Sequence, residues 1–443
     1  MKIIADLHMH SRFSRATSKN MRIPEMVRMA KLKGIGLLGA ADFTHPGWLD
    51  ELNRHLVEAG PGMYEYDGIK FILTTEVSGI YTRKGALRRI HNVIFAPSFD
   101  DVEKISKFLG RFGSLTSDGR PTLGLDSEAM LEGILSLSPD SFLVPAHIWT
   151  PWFGLLGSKS GFDSLQECFG KYSDEIFAAE TGLSSDPPMN WRLSALDRIT
   201  LISNSDAHSP ARMGREANIF DIEPSFYELK DALKQKDPKR MLGTIEFFPQ
   251  EGKYHYDGHR NCNVRLSPRE SIEGKNICPH CGRPLTLGVL HRVEELADRP
   301  EGYHPTNAIP YYSIIPLAEL IGEAKGLGRD TAGVGHVYER VCQELGGEFN
   351  VLLWADIEEI AKMAGREIAE GIARMRKGQV KVDEGYDGVF GTISVFSKEE
   401  QSRRKMKMKK IMNSYRFSEL NACCAKVGRG TACRAPTNLK GEE

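Results

Sequence analysis

The pentapeptide Asp6-Leu7-His8-Met9-His10 follows a short apolar run, Lys2-Ile3-Ile4-Ala5. If that run is a strand, His8 and His10 at i, i+2 share one face. Imidazoles so placed are a nitrogen pair for a divalent metal. A His-x-His pair alone is more often incidental, but chemistry-bearing residues recur beside later apolar runs. Asp42, with His45 behind it, follows AA; Glu76 follows LTT; His91 heads NVIF; His147 follows LVPA; Asp206 and His208 follow ISNS. Singly, each has an ordinary reading as a cap, a turn residue or a satisfied core histidine. Together they suggest a shared metal centre holding two or three divalent ions of zinc, manganese or magnesium. Asp42, Glu76 and Asp206 supply its negative charge. The bound ions would leave a net positive site suited to phosphate and would ionise a shared water to a hydroxide that attacks phosphorus. Asp206 is the expected bridging carboxylate and catalytic residue, beside His8 and His10. Glu180 (FAAETG) is either a supporting or a structural carboxylate.

Nearby residues could meet a nucleic acid. Arg12, Arg15 and Lys19 could contact flanking phosphates, or be solvated surface charge. Trp149, Trp152 and Phe153, just after His147, could stack on a base or simply pack a loop.

The elements that must position these groups are legible as alternating patterns. Ile35–Ala41, Ile69–Thr74, Asn92–Ala96, Phe142–Ala146, Glu175–Ala179 and Ile199–Ser203 read as strands. Pro24–Lys33, Pro46–Glu58, Asp101–Leu109 and Ser127–Ser136 read as helices, with Pro24 and Pro46 at early helical positions. Such alternation predicts parallel βα units, and their number suggests a barrel with its site at the carboxyl ends of the strands.

After Ile245 the pattern changes. Cys278-Pro-His-Cys281-Gly is a metal knuckle, and His259-x2-Cys262 supplies a second half. We read these as a closed, structural tetrahedral zinc site, with His255 and His280 as alternative nitrogen donors. Farther on, Ile315–Lys325, Ala332–Leu345 and Ala355–Lys377 read as helices. The last carries an apolar stripe of Ile357, Ile360, Ala361, Ala364, Ile368, Ile372 and Met375. Gly385–Gly391 (GYDGVFG) is a turn-rich element with two aromatics. The stretch from Arg403 to Lys410 is basic and could lie near DNA or solubilise a loose tail. Cys423, Cys424 and Cys433 show no ligand pattern. The expected domains are therefore a barrel at 1–245, a zinc lobe at 246–305, a helical DNA-binding part at 306–395 and a basic, flexible tail at 396–443.

The whole composition limits the alternatives. With 58 Lys+Arg against 59 Asp+Glu in 443 residues, the chain is no polycation. Any nucleic-acid surface must be a local patch or be made by bound cations. No run reaches the roughly 20 apolar residues of a membrane span. With no signal-peptide pattern, a reducing cytoplasmic location is expected, and the eight cysteines read as ligands or buried thiols.

The first part resembles the polymerase-and-histidinol-phosphatase (PHP) family of metal-dependent phosphoesterases, through DLHMHS, Asp42, Glu76, His91, His147 and SDAH at 205–208. That resemblance implies an α/β fold with a distorted (β/α)7 barrel and a trinuclear centre. The chain departs from the family at Ala41-Asp42-Phe43, where Thr-Asp-His is usual, so that Asp42, or His45 reaching back, must substitute. It also has no acid in Ser11–Arg15. Adding HRNC…CPHCGRPLTLGVLHRVEELADRP, AEGIARMRKG and EGYDGVFG, residues 1–395 resemble the endonuclease Q family of DNA repair enzymes. This implies nicking of double- or single-stranded DNA on the 5′ side of uracil, hypoxanthine, xanthine or an abasic site. It also implies 3′-hydroxyl and 5′-phosphate ends, and a lesion nucleotide turned out of the helix. It suggests a nucleoid-associated protein. Some archaeal members bind the sliding clamp, but Gln401-Ser-Arg-Arg lacks the apolar and aromatic positions of a clamp motif. A small-molecule phosphatase of the histidinol-phosphate type is the alternative, though it gives no use to the zinc lobe.

Overall fold

The computed structural model describes residues 2–410. Asn413, Cys423, Cys424, Cys433 and the rest of the expected tail beyond Lys410 lie outside the described residues.

β1 (Lys2–Asp6) is buried on both faces after its first residue, as its unbroken apolar run requires. It pairs in parallel with β2 (Leu37–Gly39), which pairs in parallel with β3 (Ile69–Arg83). β3 and β4 (Ala86–Ala96) form a long antiparallel hairpin, and β5 (Phe142–Pro145) pairs antiparallel with β4. β6 (Ala178–Glu180) and β7 (Thr200–Ile202) are a parallel pair on their own. β8 (Ala217–Asp221) returns antiparallel to β1. Side chains and loop amides join the separate pieces. Ile148 N–H donates to Glu180 O (3.0 Å). Asn218 Nδ2 donates to Ser203 O (2.8 Å), and its Oδ1 accepts from Ser203 N–H (2.9 Å). The strands thus form a ring interrupted at two seams, in a mixed α/β fold.

Helices lie where the sequence places them. α1 (Ile23–Lys33) carries Pro24 in its first turn and ends at Gly34, whose φ of 82° suits a helix C-cap. α2 (Pro46–His55) stops three residues before the expected Glu58, because Val57–Glu58 turns into an edge strand. α3 (Phe99–Leu109) and α4 (Ser127–Leu137) are capped by Ser98 and Asp126. The alternating pattern predicts a parallel strand after β3. Instead β4 runs antiparallel because the Arg83–Ala86 turn is too short for a crossover.

The boundaries between parts also differ from the sequence reading. Tyr311–Ser313 adds a parallel strand beside Met241–Glu246, so the large sheet includes a piece of the expected helical region. Ala355–Lys377 is broken into Ile357–Ala364 and Arg366–Arg376 at Gly365, whose φ is 99°. The hairpin Lys381–Asp383/Thr392–Ser394 meets the zinc lobe, where Tyr386 OH donates to Asn263 Oδ1 (3.0 Å). Residues 398–410 are helical rather than loose. Arg404 stacks 3.7 Å from the Phe396 ring, and Gln401 donates to Glu323 (3.0 Å). Gln401 is thus engaged within the fold. One apolar core runs from Ile4 to Phe396 and unites ring and helices. Buried Lys33 on α1 ties them further, lying 2.6 Å from Glu348 of the helix Glu348–Leu353.

Candidate metal centre

Two groups of ligand atoms share one carboxylate. His8, His10, Glu76 and Asp206 form one group, and Glu76, His91 and His147 form the other, each within 4.8 Å. Glu76 Oε2 lies 3.1 Å from His10 Nε2 and 3.5 Å from His8 Nε2. Glu76 Oε1 lies 2.7 Å from His91 Nδ1 and 3.2 Å from His147 Nε2. Asp206 Oδ1 is 3.0 Å from His10 Nε2. The carboxylate common to both groups is therefore Glu76, the position the sequence reading gave to Asp206.

Strand geometry explains the convergence. His8 and His10 leave the end of β1 on the same side. On the hairpin, Ser78 opposes His91 and Val93 opposes Glu76. Glu76 and His91 are thus diagonal neighbours on one face. Asp42, His147 and Asp206 have φ of 32°, 30° and 47°. Non-glycine residues in this region cost about 1–3 kcal/mol each and gather where a site demands a particular side-chain direction.

The residues fit divalent ions. His8 Nε2, His10 Nε2 and Asp206 Oδ1 are buried and crowd one another at 3.0–3.8 Å, yet none makes a well-aligned hydrogen bond. Atoms left so would each forfeit solvation without return unless a cation met them. The charge balance points the same way. Burial opposes a proton on His8, yet Glu180 and Glu76 outweigh it and hold its pKa well above the usual value. Burial is likewise overcome at His10, by Asp42 and Asp206. For Glu76, burial is outweighed by His91, Arg120 and His8, so its carboxyl sits well below the usual range. Burial pushes His91 down to about 4 despite Glu76. The cluster calls for positive charge, which protons or metal ions can supply.

Other expected ligands stand elsewhere. Asp42 lies behind His10. Its Oδ1 is 3.1 Å from His10 Nδ1, and its Oδ2 accepts from Ser11 N–H (2.7 Å) and Ser14 Oγ (2.8 Å). With both oxygens engaged, it orients His10 rather than joining a group. His45 does not reach back; its ring stacks on Phe13 at 4.4 Å, at the head of α2. His208 lies beside His10 (centroids 4.5 Å apart) and donates Nδ1–H to Asp206 O (2.9 Å), outside both groups. Among the described residues no third group forms in the ring. Glu180 holds His8 Nδ1 at 2.9 Å, the supporting role.

Trp149 is wholly buried and donates Nε1–H to Asn190 Oδ1 (2.8 Å), so it is core and offers no face to a base. Trp152 is 49% exposed, with Arg89 4.9 Å from its ring. Arg12 pairs with Glu51 (2.8 Å), while Arg15 and Lys19 are exposed. Arg120, which the sequence reading missed, reaches Glu76 Oε2 at 3.0 Å. Its loop approaches closely because Gly119 has no side chain; a Cβ there would lie 2.4 Å from Asp42 Oδ2. The Asp118-Gly119 turn was readable, but nothing local signals a contact with Glu76.

In the zinc lobe His259, Cys262, Cys278 and Cys281 form a third ligand group. Burial raises the Cys278 pKa, but the amides of Cys281 and His280 outweigh it and bring it to about 6. That is what a thiolate-holding knuckle does. Only Val264, Cys278 and Leu285 form the lobe's own buried cluster. His255, an alternative donor in the sequence reading, is buried and lies outside the group.

A cavity of about 670 Å³ separates the ring from the lobe and the last hairpin. Thr150, Arg212, Arg215, Tyr254 and Phe390 are among its walls. Thr150 Oγ1 is 2.6 Å from His147 Nδ1, which places the cavity beside the ligand cluster. Among the described residues no helix is long and apolar enough to cross a membrane.

Residues 316–379 match a family model described as the MJ0043 C-terminal domain. The chain is 37% identical over 254 residues to protein MJ0043 of Methanocaldococcus jannaschii, covering 56% of this chain and 31% of that protein. It thus spans about a third of that relative's length. It is 29% identical over 411 residues to protein YqxK of Bacillus subtilis, covering 88% of this chain and 99% of YqxK. Among solved structures, it is similar to the lesion-specific endonuclease PfuEndoQ from Pyrococcus furiosus. That match has 33% identity and a TM-score of 0.81, over 89% of this chain and 96% of that one. It is also similar to endonuclease Q in complex with a 27-mer duplex substrate carrying an abasic lesion at the active site. There the identity is 32% and the TM-score 0.79, over 90% and 98% of the two chains.

Proposed function

The chain belongs to the endonuclease Q family, and from that premise we propose that it is a metal-dependent DNA repair endonuclease. Its reaction is a nick 5′ to deaminated bases (uracil, hypoxanthine, xanthine) and abasic sites, leaving 3′-hydroxyl and 5′-phosphate ends. The observation that carries this reading is Glu76, which turns one oxygen to each of two ligand groups beside an open cavity. A pair of ions so held suits displacement at phosphorus.

His8, His10, Glu76 and Asp206 would hold one ion, and Glu76, His91 and His147 the other. Zinc, manganese and magnesium all suit these donors. When bound, the ions supply a water of lowered pKa and charge to meet the phosphate oxygens. Glu180 and Asp42 fix the two imidazoles of the first group through their Nδ1 atoms. Asp206, the most open carboxylate of the cluster, orients the attacking water. Arg120 faces the same oxygen of Glu76 that faces His10, and can meet a non-bridging phosphate oxygen. Arg212 and Arg215, on the cavity wall, would meet the flanking phosphates.

Incision of duplexes carrying uracil, hypoxanthine or an abasic site tests this, with chelator and with each metal restored. Asp206→Ala should abolish nicking while duplex affinity stays near the parental value. Phosphate release from small monoesters without nicking would overturn the reading.

A further inference from the structure

The GYDGVFG element carries an aromatic side chain that packing does not explain. Phe390 is 71% exposed, the highest value for a large apolar side chain among the described residues. Its backbone is nonetheless held tightly. Tyr386 and Val389 exchange hydrogen bonds across Asp387 and Gly388, whose φ values are 40° and 86°. Two consecutive positive φ values make a tight type I′ hairpin turn. Gly388 N–H donates to Lys253 O (2.8 Å) and Gly391 N–H to Glu251 O (3.1 Å). Asp387 Oδ2 accepts from Arg260 N–H (2.7 Å). A Cβ on Gly385 or Gly391 would lie 2.3 or 2.1 Å from a carbonyl oxygen, so both glycines serve the close approach.

A phenyl ring held in water by so firmly anchored a turn is available to a partner. The ring stands at the cavity that adjoins His147, with the half-exposed Tyr254 beside it. Lys253 Nζ lies 5.6 Å from the Tyr254 ring and 5.7 Å from the Phe390 ring. Aromatic rings framed by Lys253, Arg212 and Arg215 match a nucleic acid, which pairs flat apolar bases with phosphates. Apolar side chains that enter a base stack offset its opening, and extrusion is needed when chemistry must reach one nucleotide.

We propose that Phe390, backed by Tyr254, enters the duplex beside the lesion and fills the gap left when the damaged nucleotide is drawn toward the metal centre. This rests on the DNA-repair reading above. It concerns the undamaged stack, not recognition of the damaged base.

The test compares parent, Phe390→Ala and Phe390→Leu on uracil and on an abasic site. Each lesion is presented in a paired duplex and inside an unpaired bubble. Phe390→Ala should slow both paired substrates by about 10- to 100-fold, the range of one lost stacking contact. It should leave bubble substrates at the parental rate, and Phe390→Leu should restore part of the loss. A 2-aminopurine next to the lesion should brighten on binding parent and stay dim with Phe390→Ala. Equal loss on bubbles, loss on uracil alone, or no loss on paired DNA would overturn the proposal. If the parent cuts none of these substrates, the repair reading fails, while the 2-aminopurine signal still decides whether Phe390 enters the stack.

Discussion

Glu76 Oε1 lies 2.7 Å from His91 Nδ1, although neither residue is the other's cross-strand partner. The contact is diagonal across the β3–β4 hairpin. It leaves the second oxygen of Glu76 free to turn toward His8 and His10. One side chain thereby ties a local hairpin pair to the end of the first strand.

If Glu76 serves both ligand groups, its removal should cost both ions. Native mass spectrometry should find only the zinc of the Cys278 knuckle in Glu76→Ala, and one further divalent ion in His147→Ala. Retention of a second ion, beyond the knuckle zinc, at parental affinity in Glu76→Ala would count against the shared arrangement.

Asp42 acts through His10. Asp42→Asn should weaken divalent-ion binding by about 10- to 100-fold, as loss of a partner behind a ligating histidine does. Calorimetric titration of the metal-stripped protein measures this. An unaltered affinity would mean that the contact with His10 Nδ1 has no part in holding the ion.

Arg120 touches Glu76 but also faces Asp206. Arg120→Ala should lower kcat for incision by about 100-fold, the scale of one lost donor at a developing charge. Duplex Kd should change little, and Arg120→Lys should recover part of the rate. A loss confined to Kd would assign Arg120 to binding alone.

The small buried cluster around Cys278 cannot hold the zinc lobe by itself. One equivalent of zinc per chain should therefore be found outside the ring. Cys278→Ser should expose the segment between residues 259 and 287 to limited proteolysis. A protease-resistant segment in the zinc-free variant would show that the knuckle is not structural.

The buried Glu348 sets an acid limit on the joint between ring and helices. It lies 2.6 Å from Lys33 Nζ and accepts from Tyr338 OH (2.8 Å) and Leu317 N–H (2.9 Å). Burial raises its pKa, but Lys33 and these donors outweigh it and bring it below 4.5. A carboxyl depressed on folding contributes stability that is complete above its unfolded value. That contribution is lost as pH falls through the folded value. Thermal melts from pH 6 to pH 3 should show a steeper fall for the parent than for Glu348→Gln. Lys33→Met, which strands the buried carboxylate, should cost about 3–5 kcal/mol at neutral pH.

Much of this was legible in one dimension. Apolar runs ending in His8, His10, His147 and Asp206 announce both the strands and the chemistry at their ends, because burial and ligation each demand particular residue types. The spacing His259-x2-Cys262 and Cys278-x2-Cys281 likewise names a ligand set, since a knuckle is a local structure. The sequence also offered Asp42, His45, Trp149 and Arg12 on equal terms with the residues that do converge. What separates them is direction and partner. Asp42 spends both oxygens on His10, Ser11 and Ser14; His45 lies on Phe13; Trp149 turns into the core. Only the tertiary structure decided that Glu76, not Asp206, joins the two groups, and that Arg120 arrives from a distant turn. Residue type and spacing report what a side chain can do; which way it points depends on strand register and on backbone angles such as those at Asp42, His147 and Asp206, which long-range pairing imposes.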